Sequence, residues 1–151
     1  MISLITFEID FSQYLNDNRV IYRLKDYSFE CDSPIQSDIA FLIDCLEIEV
    51  DSQSGIVCGV SGFCAHTMWK KEKLDIPLAS KGQLKIRGRF ESGTIKRFME
   101  NTPVYFDSDS GWICIGNQDV KNCISVEFSK NTIASLNNNI LIALWVKPEF
   151  V

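Results

Sequence analysis

Cys64 and His66 come closest in this chain to a nucleophile with its base. On a strand they would project from one face, with Cα atoms about 6.5–7 Å apart. That spacing suits a thiol–imidazole pair or half of a zinc site. Cys58 shares their parity, but six residues of strand put it about 20 Å from Cys64, too far for one ion. His66 is the only histidine, so a packed strand without metal is the plainer expectation. Asp107-x-Asp109 invites comparison with a calcium loop, which needs further oxygen ligands, a glycine and a glutamate at position 12. Counted from Asp107, Gly111 comes at position 5 and Gln118 at position 12, so the pattern fails. No P-loop, Rossmann glycine pattern, HExxH or GxSxG occurs. No catalytic residue, metal or cofactor is expected, and a binding protein is favoured over an enzyme.

Charge offers two further constellations. The formal net charge is −5 and the pI about 4.9, but residues 1–55 carry 11 acids and 3 bases while residues 56–100 carry 9 bases and 4 acids. Such asymmetry bears on partners and steering rather than on fold. Lys85, Arg87 and Arg89 form a basic comb on one face of an alternating run, opposite Leu84, Ile86, Gly88 and Phe90. With Phe63, Trp69 or Phe98 nearby, such a comb could track phosphates, as single-strand binders do. The acidic pI speaks against nucleic acid. Asp44, Glu47, Glu49 and Asp51 lie on or beside one hairpin, and Asp107 and Asp109 on another. Should the fold set the two tips side by side, these carboxylates make one negative end, suited to a basic protein partner.

The hairpins come from a phrase that occurs twice, VDSQSGIVCG at 50–59 and FDSDSGWICIG at 106–116. Asp and Ser bond back to nearby backbone and Gly supplies positive φ, so each phrase is a turn between strands. Alternation predicts strands over 2–11, about 20–24, 27–31, 42–50, 56–65, 83–90, 104–106, 112–115 and 124–129. Residues 37–41 read as strand or short helix, 67–82 as a connection, and 94–101 as a short helix or irregular link. Gly59 and Gly62 suggest a bulge or a close approach. Turns are expected at 16–18 and 137–139, and a break at Asp32-Ser33-Pro34. The last strand, 140–146, is apolar on both faces and should lie centrally. The expected fold is one mainly antiparallel β domain over 1–151, a sandwich or curled half-barrel with at most one or two short helices.

No apolar run reaches the roughly 18 residues of a transmembrane helix, and the N-terminus lacks a basic leader segment, so a cytoplasmic location is expected. The six cysteines at 31, 45, 58, 64, 114 and 123 sit in apolar runs and read as reduced, buried, small hydrophobes.

In size, acidity and hairpin content, carried by VDSQSGIVCGVSGF and PVYFDSDSGWICIG, the chain resembles the bacterial immunity proteins that neutralise a cognate toxin, including those of contact-dependent inhibition systems. The resemblance implies a one-to-one complex with a toxin domain, often a basic nuclease. The alternative reading is a barrel-like binder of a small ligand or single-stranded nucleic acid through Lys85–Arg89.

Overall fold

A computed structural model describes residues 4–14, 18–33 and 35–151. Residues 1–3, most of the expected 16–18 turn and Pro34 lie outside the described residues. In chain order the strands are β1 (Phe7–Asp10), β2 (Val20–Arg23), β3 (Ser28–Cys31), β4 (Ile39–Ile43), β5 (Leu46–Val50), β6 (Val57–Phe63), β7 (Lys70–Lys71), β8 (Ser80–Lys81), β9 (Gln83–Ile86), β10 (Ile95–Met99), β11 (Val104–Phe106), β12 (Ile113–Gly116), β13 (Ile124–Ser129), β14 (Thr132–Asn137), β15 (Ile140–Val146) and β16 (Glu149–Phe150). A single 3-10 turn, η1 (His66–Met68), is the helical part of the described residues.

Two seven-stranded sheets and one two-stranded ribbon result. Sheet I runs β10-β4-β5-β6-β3-β2-β16, sheet II runs β7-β11-β12-β15-β14-β13-β8, and β1 pairs with β9. The interior of each sheet is antiparallel, but each edge strand joins in parallel: β10 on β4, β16 on β2, β7 on β11 and β8 on β13. Three of these four edges are two residues long, and β7 and β8 carry Lys70, Lys71 and Lys81. Short, lysine-bearing edges discourage pairing with other chains. The fold is thus a mainly antiparallel β-sandwich.

The sandwich core follows from period-two alternation. Phe41, Ile43, Leu46, Ile48, Val50 and Val60 of sheet I meet Ile113, Ile115, Val126, Phe128, Leu144 and Val146 of sheet II. The β1–β9 ribbon closes one side with Phe7, Leu84 and Ile86. It is stitched to sheet I by Ile86 N–H donating to Gly55 O (2.8 Å), and to sheet II by Gly82 N–H donating to Glu127 O (3.1 Å). A second, smaller cluster lies on the other face of sheet II. There Cys114, Ile133, Ala143 and Trp145 are covered by Leu74, Ile76 and Ala79 of the connecting segment. Strand β15 therefore buries both faces, which is why it is apolar throughout and fourth of seven in its sheet.

Several local expectations are corrected. Residues 42–50 are not one strand but the end of β4, a turn at Asp44–Cys45, and β5; Asp44 reverses the chain at φ +54. Aspartate tolerates this left-handed region better than most residues. Residues 95–99 form an edge strand, and β14 is a further strand that the polar 130–131 turn separates from β13. The run 83–90 is strand only to Ile86; Gly88 at φ +91 bends it away. The expected irregularity at Gly59 is real. Pairing with β5 slips between Glu49 and Val50, and a Cβ on Gly59 would stand 2.6 Å from the Cys31 sulfur.

Candidate functional site

The two tips share their backbone turn bonds. Gly55 N–H donates to Asp51 O and Gly111 N–H to Asp107 O, both at 2.8 Å. Each aspartate carboxylate accepts the amides two and three residues on, from Gln53 and Ser54 or from Asp109 and Ser110. Gly55 and Gly111 take φ +76 and +84, where a side chain would be strained.

The fold nevertheless sends these tips to opposite ends of β15. At the first tip, Gly55 holds Ile86. The adjoining Arg87 donates its amide to Thr6 O, and Phe7 N–H bonds Asn139 O, beside the start of β15. At the second tip, Ile113 pairs with Val146, and Gly111 faces the Lys147 side chain beyond the end of β15. Seven strand residues, roughly 20 Å, lie between. The single negative end expected from side-by-side tips does not form. Asp107 is also nearly buried, its carboxylate accepting Leu74 N–H at 3.0 Å. That bond holds the Asp107 carboxyl below the usual carboxylate range. Asp109 is exposed beside it.

Of the first-hairpin acids, Glu47 and Glu49 share one strand face, and Asp44 stands at the turn before it. Glu47 and Glu49 pair across strands with Leu42 and Ala40 on one side and with Ser61 and Gly59 on the other, so they stand on the outer face of sheet I. Asp44 sits at the turn where β5 begins. Its carboxylate accepts the amides of Asn101 (2.8 Å) and Thr102 (3.1 Å), while its carbonyl accepts Arg97 Nε–H (2.9 Å). Among the described residues the ion pairs are Arg19–Glu149 and Arg23–Glu30, neither of which uses these three acids.

Beside them lies an apolar rim absent from the expected site. Phe63 continues the outer face of β6 two residues beyond Ser61 and is 51% exposed; Met68 in η1 is 77% exposed. Tyr27 packs edge-on to Phe63 at 6.3 Å. The available signal was parity: Phe63 is a large apolar side chain on the polar face of an alternating strand. Phe63 and Met68 also border a cavity of about 300 Å³ between the sheets, whose apolar lining includes Ile43, Leu46, Trp69, Val104 and Ile115.

Cys64 and His66 do not share a strand face, because β6 ends at Phe63 and His66 opens η1. Their backbones are instead clamped by one side chain. Tyr22 Oη donates to Cys64 O at 2.5 Å and accepts His66 N–H at 3.0 Å. Burial pushes the Tyr22 hydroxyl up to about 12 and raises the Cys64 thiol, so neither offers a ready nucleophile at neutral pH. All six cysteines are free. Burial lifts Cys31 to about 11 and Cys58 and Cys114 to about 12, while Cys45 is exposed at the β4–β5 turn, contrary to its expected burial. Among the described residues no group of three or more His, Cys, Asp or Glu is placed to hold a metal ion.

Lys85, Arg87 and Arg89 line an open polar groove with Ser52, Gln53, Ser54 and Glu8, at the first tip. Glu8 pairs across the ribbon with Lys85. Phe63 and Trp69, the aromatics expected to accompany the comb, lie near the far end of β6, and Phe98 packs inward on Phe7. No helix is long and apolar enough to cross a membrane among the described residues. Compared with known proteins, the chain matches no family model, no curated protein and no solved structure.

Proposed function

We propose that this protein is a non-catalytic partner-binding module of the toxin-neutralising immunity type, and that it docks its partner through the end of sheet I where β5 begins and β6 ends. The observation that carries the reading is that Phe63 and Met68, both exposed, share a cavity mouth with Asp44, while Glu47 stands on the same outer face as Phe63, opposite Ser61, and Glu49 lies further along it, opposite Gly59. Large apolar side chains left in water are the usual anchors of a protein interface, and they contribute most when a partner covers them fully. Carboxylates around such anchors speed association with a basic protein and select against acidic ones. A basic toxin domain fits this combination. Asp51, Asp107 and Asp109 belong to the scaffold in this reading: Asp51 spends its oxygens on its own loop, Asp107 divides its oxygens between its own loop and the Leu74 amide, and Asp109 goes with the second tip.

The test is co-expression with candidate basic toxin domains, taken first from neighbouring genes, together with gel filtration of the purified pair. Protection of the cells and a one-to-one complex are expected. A folded double variant, Phe63→Glu with Met68→Glu, loses protection, and Glu47→Lys slows association most at low salt. Failure of the wild-type chain to protect or to form a complex overturns the reading. Full protection by the Phe63→Glu, Met68→Glu variant relocates the interface and overturns the docking face.

A further inference from the structure

We propose that the cavity between β4–β5, η1 and β11–β12 is a binding site for a compact, uncharged, apolar small molecule, of the size of one aromatic ring or a short acyl chain. Its walls come from both sheets. Ile43 and Leu46 line it from sheet I, Val104 and Ile115 from sheet II, and Ala65 and Trp69 from the segment around η1. The volume of about 300 Å³ lies at the lower end of small-molecule sites and well above the few voids that close-packed interiors leave. An apolar hollow holds water poorly, since water there finds few hydrogen-bond partners. Enclosed apolar cavities of smaller volume take up single-ring aromatics; this one is open on one side, bordered by the exposed Phe63 and Met68.

The polar groups at the site set its selectivity. Asp44, Asn101 and Thr102 stand on one side, but both Asp44 oxygens accept the Asn101 and Thr102 amides. That arrangement leaves a negative charge at the rim and no cation in the lining. An anion is repelled there, and a cation would have to leave water for an apolar interior. A neutral apolar molecule meets neither cost. The size also decides the class, because a helix about 10 Å across does not fit. The cavity shares Asp44, Phe63 and Met68 with the docking face proposed above, but the test below uses the isolated protein, so its outcome is independent of any partner.

Toluene and 1-hexanol serve as probes, with toluenesulfonate as the charged control. The readout is the Trp69 indole N–H signal in a nitrogen–proton NMR spectrum, identified by its loss in Trp69→Phe. Saturable shifts of that signal and of the Ala65 and Thr102 amides are expected with the neutral probes, and at least tenfold weaker binding of toluenesulfonate. Ala65→Phe, which fills the cavity, should weaken toluene binding at least tenfold; Val104→Phe is the second filling variant should the first not fold. The proposal is overturned by the absence of saturable shifts up to the solubility limit of toluene. It is equally overturned by undiminished binding in a folded filling variant, or by equal binding of toluenesulfonate.

Discussion

The carboxylate of Asp107 accepts the backbone amide of Leu74 at 3.0 Å, a bond that fastens the 72–79 segment over the outer face of sheet II. Leu74 lies there on the cluster around Trp145, whose indole N–H donates to Ser135 Oγ at 3.1 Å. The twin residue Asp51 makes the same loop bonds but gives its second oxygen to Ser54 Oγ. One phrase of sequence thus makes the same turn twice, and only at Asp107 does the aspartate carboxylate itself reach out of the turn to clasp a distant segment.

Asp107→Ala should therefore destabilise the protein more than Asp51→Ala. Comparison of the two urea midpoints checks the difference, and Leu74→Ala provides the scale at about 2–5 kcal/mol for a buried leucine. Equal midpoints for the two aspartate variants would remove the clasp from the account.

The same residue carries a pH dependence. The folded Asp107 carboxyl titrates below its unfolded value, chiefly through the Leu74 amide. Its contribution is present above the unfolded value, roughly 3.9, and is lost as pH falls through the folded one. Asp38 and Asp10, lowered by hydrogen bonds from Ser52 and Ser12, act in the same direction. Stability should fall as the solution is acidified below about pH 4, with a shallower slope in Asp107→Asn, as measured by urea midpoints at successive pH values.

Gly116 and Gly93 both sit at positive φ, +119 and +88, but in different surroundings. A Cβ on Gly116 would stand 2.4 Å from Ile142 O and 3.1 Å from Ala143 Cα, whereas one on Gly93 meets nothing within 4 Å. Gly93→Ala should cost about 1 kcal/mol from backbone strain alone. Gly116→Ala must in addition push two backbones apart and should cost well above that, read as the difference in thermal midpoint.

Thiol labelling separates the cysteines. Cys45 is exposed, while burial keeps Cys31, Cys58 and Cys114 protonated at neutral pH. One fast-reacting thiol per chain is expected at pH 7.5, abolished in Cys45→Ser, with Cys58 and Cys114 reacting only on unfolding.

Tyr22→Phe removes the hydroxyl that ties Cys64 O and His66 N–H together. A loss of about 1 kcal/mol is expected for part-buried backbone groups left without this partner. Amide exchange at His66 should accelerate, an effect that a simple packing defect elsewhere would not produce.

The sequence by itself determined what depends on neighbours along the chain. The Asp51–Gly55 and Asp107–Gly111 turns form from side-chain-to-backbone bonds spanning two or three residues. Strand β15 declares its central place because an apolar residue at every position is stable only where both faces are covered. The turn at Asp44–Cys45 escaped because it carries no glycine, proline or Asn-Gly signal; its bonds come from Met99, Asn101 and Thr102, more than fifty residues away. Only the tertiary structure decided that Asp44 shares a cavity mouth with Phe63 and Met68, and that the two acidic tips part to opposite ends of β15. It also decided that Phe63 and Trp69 lie far from Lys85–Arg89, with an apolar cavity at their end of the sandwich. Each of these depends on which strands pair and at which end, and that is fixed by long-range burial of both sheets rather than by any local pattern of residues.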